Sequence, residues 1–126
     1  MILQYIGLPA SGKTKFLKNY LASTNSFDIQ YVDVANSNLS EIHDLIRNNK
    51  NKHIIIESAC GISLKNSLVV KVSIPRKTRE KQWVERESRG LDLDYESLLQ
   101  TAMLPATFTV TSDEAAKNLL DELFNK

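Results

Sequence analysis

One short segment near the start of the sequence has the residue types and spacing of a phosphate-binding loop. It reads Gly7-Leu8-Pro9-Ala10-Ser11-Gly12-Lys13-Thr14 and matches the pattern G-x-x-x-x-G-K-[ST]. The glycines let the backbone curl so that successive N–H groups point at phosphate oxygens. Lys13 would then reach the β- and γ-phosphates, and the Thr14 hydroxyl would bind Mg²⁺.

The surroundings of this loop fit the same chemistry. It follows an apolar run at 2–6 and opens a helical pattern, so a helix N-terminus, which favours anions, would face the phosphates. Four fixed positions match by chance in a chain of this length with a probability of about 0.5%. The alternative is a glycine-rich turn with an incidental lysine. We predict that the following residues bind the nucleotide: Gly7, Pro9, Ala10, Ser11, Gly12, Lys13 and Thr14.

Two carboxylates stand at the ends of apolar runs that are typical of buried strands. Glu57 follows the isoleucine run 54–56, and Asp33 closes the run 31–34. We predict that Glu57 and Thr14 hold Mg²⁺, directly or through water. Asp33 is a candidate to accept the proton of an attacking hydroxyl. The alternatives are a solvated acid at Glu57 and a turn-capping or solvent-facing acid at Asp33.

The segment 75–90 is the one strongly basic stretch. It carries six basic and three acidic residues, a net charge of +3. On a helix, Arg79, Arg86 and Arg89 fall within an arc of roughly 80° and share one side with the uncharged Gln82. Their guanidinium groups could stabilise a transferring phosphate as charge develops. The alternative is a solvated helix with internal ion pairs four residues apart.

The elements that must position these residues alternate along the chain. The apolar runs at 2–6, 29–34, 53–57, 68–74 and 108–110 predict five strands. Helices are predicted after Gly12, behind an N-cap at Asn38 with Glu41, over 78–89, over 95–103, and behind a second capping box at Thr111 with Glu114.

This alternation predicts an α/β fold. We expect three layers, with a five-stranded, mainly parallel sheet and helices on both faces, joined by right-handed crossovers. The unbroken isoleucine run 54–56 suggests a strand buried on both faces, as in a parallel sheet. Ligands in such folds bind at the carboxyl ends of the strands, which is where the loop and both carboxylates are predicted to lie.

Length and composition narrow the class of protein. The chain has 126 residues, 42% of them hydrophobic and 25% charged, which predicts a single globular domain over 1–126. Lys+Arg is 16 and Asp+Glu 15, so non-specific coating of nucleic acid is not its main role. The lone Cys60 excludes an internal disulfide framework. Without a basic leader or a long apolar span, we expect a cytoplasmic protein that does not use a membrane.

The order of these features along the chain, with a loop, a strand-end acid and an arginine-bearing helix, resembles that of the P-loop kinases. It is closest in pattern to their polynucleotide-kinase-like branch. The segment 83–90, followed by 95–99 and Pro105, resembles the lid region of that branch. The resemblance implies a P-loop NTPase fold with a short lid-like segment at about 76–90. It also implies that Arg86 and Arg89 are lid arginines and that Asp33 activates the acceptor hydroxyl. The sequence departs from the pattern at Glu87, which stands where asparagine is usual, and at Glu57, which replaces the usual Asp.

Two functions remain open from the sequence. The first is a phosphotransferase that uses ATP and Mg²⁺ to phosphorylate a nucleoside, a nucleotide or a polynucleotide 5′ end, with Lys13, Asp33, Arg86 and Arg89 as catalytic residues. The second is a non-kinase module that binds or hydrolyses a nucleoside triphosphate and regulates a partner. A short chain leaves little room for an acceptor-binding insertion, which favours the second function.

Overall fold

The structure, a computed structural model, describes residues 1–23, 28–87 and 93–124. The strands in these residues are β1 (Ile2–Gly7), β2 (Ile29–Asp33), β3 (His53–Ser58), β4 (Ser67–Val72) and β5 (Phe108–Val110). The helices are α1 (Lys13–Ser23), α2 (Leu39–Asn48), α3 (Arg76–Glu87), α4 (Leu93–Ala102) and α5 (Asp113–Phe124), and a 3₁₀ turn spans Val34–Asn36. No helix in the described residues has both the length and the apolar character needed to cross a membrane.

The five strands form one sheet in the order β2-β3-β1-β4-β5, and every described pair is parallel. The chain therefore crosses over between each strand and the next, as the alternation of strands and helices predicted. The predicted α/β fold is confirmed. In the β2–β3 register Asp33 lies beside Glu57, so both acids reach the same carboxyl edge of the sheet.

Apolar side chains cover both faces of this sheet. On one face, side chains of α1 and α5 pack on the strands in the cluster Leu3, Tyr5, Phe16, Leu17, Tyr20, Ile55, Val70, Val72, Val110, Ala116 and Leu120. On the other face, Ile42 of α2 packs against Ile54 and Ile56 of β3. Since strand residues alternate between faces, the isoleucine run 54–56 contributes to both clusters, which is why it lacks polar interruptions.

The two predicted capping boxes have different outcomes. Asn38 caps α2 as expected. Its side chain accepts a hydrogen bond from Glu41 N at 2.8 Å, and the Glu41 carboxylate accepts one from the Asn38 N–H. The prediction for α5 is wrong by one residue. Ser112, and not Thr111, is the N-cap, because its hydroxyl accepts from Ala115 N at 3.1 Å.

Several element boundaries also differ from the predicted ranges. β4 covers Ser67–Val72 where 68–74 was expected, and α4 begins at Leu93, two residues before the predicted start. α3 begins at Arg76, directly after Pro75, whose carbonyl accepts from Arg79 N at 3.1 Å. A proline cannot donate to a helix but can supply its first acceptor, so the helix starts earlier than the charge pattern suggested.

The connection between β3 and β4 fixes the position of α4. Gln4 is fully buried, and its amide group binds both Ile62 O and Ile62 N, at 2.8 and 2.7 Å. Gly61 takes a φ of +89°, and a Cβ there would lie 2.6 Å from Cδ1 of Leu104. Leu104 N in turn donates to Cys60 O at 2.8 Å. The segment after α4 therefore packs directly on the backbone at Gly61, which has no side chain.

Candidate functional site

The predicted phosphate-binding loop joins the end of β1 to the start of α1. Ala10 and Gly12 take left-handed backbone conformations, with φ of +62° and +81°. At Gly7 a Cβ would come within 3.1 Å of both Ser11 Oγ and Val72 O, so this position is crowded as well. The carbonyl of Gly12 accepts from Phe16 N at 3.0 Å, so α1 starts with its free N–H groups at the loop.

Lys13 folds back against the loop that precedes it. Its Nζ donates to Gly7 O at 2.6 Å, to Leu8 O at 3.2 Å and, at the limit of a hydrogen bond, to Ser11 Oγ at 3.5 Å. Burial lowers the pKa of Lys13 to about 8, and the charge of Glu57 opposes this shift. The ammonium group thus lies inside the curl of the backbone, where it can meet phosphate oxygens.

Two hydroxyl groups hold the Glu57 carboxylate. Thr14 Oγ1 donates to Oε2 at 2.6 Å, and the Tyr31 phenol donates to Oε1 at 2.7 Å. Glu57 is 6% exposed, so these two contacts supply the hydrogen bonds that water would otherwise give. Burial, followed by the bond to Glu57, raises the pKa of Tyr31 above its usual value, so the phenol keeps the proton that it donates.

The Thr14–Glu57 pair has the donor chemistry that Mg²⁺ requires. Both groups offer hard oxygen atoms. Because the Thr14 hydroxyl gives its single proton to Glu57, its lone pairs stay available to a cation. No cluster of three His, Cys, Asp or Glu side chains that could hold a metal occurs in the described residues. A magnesium ion at this pair would therefore need phosphate oxygens or water as further ligands.

Asp33 lies at the same edge of the sheet but in a different environment. It is half-buried, and its Oδ1 accepts from Ala35 N at 3.0 Å while its Oδ2 accepts from Asn36 Nδ2 at 2.9 Å. It therefore caps the 3₁₀ turn that follows β2. A carboxylate has about four lone-pair sites, so two of them remain for another donor.

Side chains of α3 form a further part of the cleft lining. Arg86 is exposed, its Nε donates to Glu87 Oε1 at 3.1 Å, and its guanidinium lies 5.0 Å from the centre of the Trp83 ring. This stacking keeps the charged end of Arg86 at the cleft without burying it. Arg89, the other predicted lid arginine, lies outside the described residues.

Arg79 is the exception among the arginines that were expected to share one side of α3. It is 5% exposed and forms an ion pair with Glu96 of α4, and its Nε donates to Ile74 O at 3.3 Å. It does not line the main cleft. The expectation that Arg79 could close over a phosphate is wrong, because its side chain is buried against Glu96 of α4, whereas Gln82 and Arg86 farther along α3 are exposed.

These groups surround a cleft of about 1120 Å³. We call the loop 7–14 with Asp33 and Glu57 the strand-end wall, and Gln82, Glu85 and Arg86 the α3 wall. Four cationic side chains (Lys13, Lys15, Lys18 and Arg86) and four acidic ones (Asp33, Glu57, Glu85 and Asp113) line the cleft in the described residues. Since these formal charges cancel, a triphosphate would bring negative charge that the lining alone does not offset.

Sequence reasoning missed two lysines that line this cleft and one tyrosine that holds a residue of its lining. The tyrosine is Tyr31, whose position two residues before Asp33 places it on the same face of β2. The alternation of side chains along a strand was the signal that could have found it. Lys15 and Lys18 were not singled out, although their spacing puts them on one side of α1.

Comparisons with known proteins identify the fold. No protein-family model and no curated protein sequence matches the chain. Among solved structures it is similar to an uncharacterized protein from Eubacterium ventriosum ATCC 27560, with a TM-score of 0.63, 12% identity, and coverage of 99% of this chain and 98% of that one. It is also similar to a gluconokinase from Sinorhizobium meliloti 1021, with a TM-score of 0.54, 10% identity, and coverage of 98% and 95%. Together with the parallel sheet, this likeness shows that the chain has the P-loop NTPase fold.

Proposed function

We propose that this protein is a phosphotransferase that moves the γ-phosphate of ATP to a hydroxyl or phosphate of a small acceptor or of a polynucleotide 5′ end. The observation that carries the proposal is the cleft of about 1120 Å³ that contains the loop, Asp33 and Glu57 together. Ligand sites are typically about 300–1,000 Å³, so this open cleft has room for a triphosphate and a small acceptor side by side.

Lys13 and the loop amides hold the β- and γ-phosphates in this proposal. Thr14 and Glu57 hold Mg²⁺, which offsets phosphate charge when it is bound. Arg86 lines the same cleft, where its guanidinium can meet the equatorial oxygens of the transferring group. Together these groups would offset the charge of the reacting phosphate while the attacking and leaving oxygens stay in line with it.

Asp33 accepts the proton of the acceptor hydroxyl. The acceptor oxygen forms a bond to the γ-phosphorus, the bond from that phosphorus to the β–γ bridging oxygen breaks, and ADP leaves. The proton passes to the Asp33 carboxylate, which keeps free lone pairs beside its two turn contacts. Its place in the lining, at the same strand edge as Glu57, supports this role.

The acceptor class is the open part of the proposal. Nucleosides, nucleotides and polynucleotide 5′ ends follow from the resemblance to the polynucleotide-kinase-like branch, and the gluconokinase neighbour adds gluconate to the candidates. No aromatic side chain lines the cleft in the described part of the chain. A nucleobase acceptor would therefore be held there without the ring stacking that proteins commonly use, whereas a polyhydroxyl acceptor needs only the polar groups present.

A second candidate is a module that binds or hydrolyses a nucleoside triphosphate without an acceptor. The observation that favours it is the engagement of both Asp33 oxygens by the turn 34–36. If that capping role is the whole role of Asp33, neither Asp33 nor Glu57 is left to activate an acceptor, because both Glu57 oxygens are also engaged.

Labelled ATP incubated with nucleosides, nucleotides, 5′-hydroxyl oligonucleotides and gluconate separates the two candidates. We expect one acceptor to become labelled and Lys13→Ala to abolish that labelling. Asp33→Asn should lower kcat by about 10²- to 10⁴-fold and leave ATP affinity unchanged, because an amide oxygen still accepts from Ala35 N but cannot take a proton.

Asn36→Ala is the matched control, since it removes a donor to Asp33 and leaves the carboxylate in place. It should retain transfer. Full transfer by Asp33→Asn would remove Asp33 as the base, and ATP binding with no labelled acceptor in the panel would favour the module.

A further inference from the structure

The structure contains a phenol–carboxylate contact that the proposed transfer does not explain. Tyr31 lies on β2 opposite Ile55 of β3, and its hydroxyl reaches forward along the sheet to Glu57 Oε1 at 2.7 Å. The other oxygen of the same carboxylate accepts from Thr14 at 2.6 Å. Each Glu57 oxygen therefore has one hydroxyl donor, supplied from a different element of the fold.

Two donors on two oxygens fix a carboxylate more completely than one donor does. A glutamate has one more rotatable bond than an aspartate, so a single contact from Thr14 would leave the Glu57 carboxylate free to turn about that contact. The second contact, from Tyr31, restricts this rotation. Because Glu57 is 6% exposed, little water competes for these positions.

We propose that Tyr31 is a positioning residue that holds the Glu57 carboxylate for magnesium, so that the gain in ATP affinity from Mg²⁺ depends on the phenol. This inference rests on the proposed function, because it takes Thr14 and Glu57 as the magnesium site. Tyr31 itself touches neither the ion nor the nucleotide in this arrangement. Groups that orient metal ligands typically change metal affinity or activity by about 10- to 100-fold when they are removed.

The chain offers a matched control for this contact. Tyr20 on α1 donates to Asp121 Oδ1 of α5 at 2.9 Å, so it is also a phenol bound to a carboxylate across two elements. Asp121 also forms an ion pair with Lys117 at 2.7 Å. Neither Tyr20 nor Asp121 lines the cleft. Loss of the Tyr20 hydroxyl should cost comparable stability without affecting magnesium.

The test measures ATP affinity by calorimetry, once with saturating Mg²⁺ and once with EDTA, for the wild type, Tyr31→Phe and Tyr20→Phe. The ratio of the two dissociation constants reports the magnesium contribution. We expect Tyr31→Phe to reduce this ratio by about 10- to 100-fold and to leave the affinity in EDTA unchanged. Tyr20→Phe should keep the wild-type ratio.

A second pair of variants tests whether the effect of Tyr31→Phe acts through its contact with Glu57. Glu57→Asp shortens the acid by one carbon–carbon bond and withdraws it from the phenol while β2 stays intact. In that background, adding Tyr31→Phe should change the magnesium ratio by less than about twofold, because the contact is already lost.

The outcomes separate this inference from the proposed function. A wild type with a clear magnesium ratio that Tyr31→Phe leaves unchanged overturns the inference alone, as does an equal effect in Tyr20→Phe. A wild type that binds ATP equally with and without Mg²⁺ removes the metal role of Glu57 and this inference with it. A wild type that does not bind ATP overturns the proposed function itself.

Discussion

The two walls of the cleft are held in different ways. The strand-end wall is part of the sheet edge: Lys13, Thr14 and Glu57 are fixed by hydrogen bonds of 2.6 Å to groups on β1, α1 and β3. The α3 wall is exposed along Gln82, Glu85 and Arg86 and is anchored through the buried Arg79–Glu96 pair at its other end. This difference suggests that nucleotide binding and transfer geometry are separable properties of the molecule.

The largest expected effect comes from removing the anchor of the α3 wall. Arg79→Met leaves the Glu96 carboxylate buried and unpaired, so the free energy of unfolding should fall by about 3–5 kcal/mol. Glu96 Oε2 already has no hydrogen-bond partner in the described residues, which makes the site sensitive to this loss. Denaturant unfolding monitored by circular dichroism measures the change.

The double variant Arg79→Met/Glu96→Leu is the control for that experiment. With both charges replaced by apolar side chains, most of the lost stability should return. If the single variant unfolds at the wild-type denaturant concentration, the ion pair does not anchor α3, and the contrast between the two walls is lost.

A smaller effect is expected from the exposed end of the same helix. Arg86→Ala should lower kcat by about 10²-fold, because one cationic donor is removed from the transferring phosphate. The free energy of unfolding should change by less than about 0.5 kcal/mol, since the side chain is 59% exposed. Steady-state kinetics measures the change in kcat, and denaturant unfolding measures the change in the free energy of unfolding.

Lys81→Ala is the comparison for Arg86→Ala, because it removes one positive charge from α3 outside the cleft. It should leave kcat unchanged. Equal losses in the two variants would assign the effect to the general charge of α3 and not to the position of Arg86.

Near neutral pH the smallest expected effect is a pH dependence confined to the strand-end wall, which grows only above pH 8. Burial lowers the pKa of Lys13 to about 8, so in the free protein its ammonium loses its proton as the pH rises through that value. A triphosphate requires the charged form. ATP affinity should therefore fall above pH 8 by about tenfold per pH unit, and binding there should take up a proton.

Lys13→Arg tests the assignment of that pH dependence, because a guanidinium stays charged throughout this range. Its ATP affinity, even if weaker overall, should be flat between pH 8 and 10. A wild-type affinity that does not change over the same interval would contradict the role of the Lys13 charge in binding.

Local sequence signals predicted the parts of the molecule that depend on neighbouring residues. The loop 7–14 follows from glycine and lysine spacing, and the capping box of Asn38 with Glu41 follows from residue type alone. Serine is by type the better cap, whereas Thr111 has a capping-box partner in Glu114, so local preference does not decide between Ser112 and Thr111 and the choice depends on where β5 ends.

The features that the sequence could not predict depend on contacts between residues that are far apart in the chain. Helical periodicity placed Arg79 and Arg86 on one side of α3, but it does not reveal that Glu96, seventeen residues away, lies beside only the first of them. The Tyr31–Glu57 contact likewise depends on which strands are neighbours in the sheet. The order β2-β3 had to be known before that phenol could be assigned to the site.

Gly61 has a consequence that reaches beyond its own turn. The Leu104 side chain lies where a side chain at this position would project, so even one methyl group would have to displace it. Leu104 follows α4, and α4 carries the Glu96 that pairs with the buried Arg79 of α3. The space left free at Gly61 is therefore linked through these two contacts to the helix that bears Arg86, although Gly61, Leu104, Glu96 and Arg79 do not line the cleft.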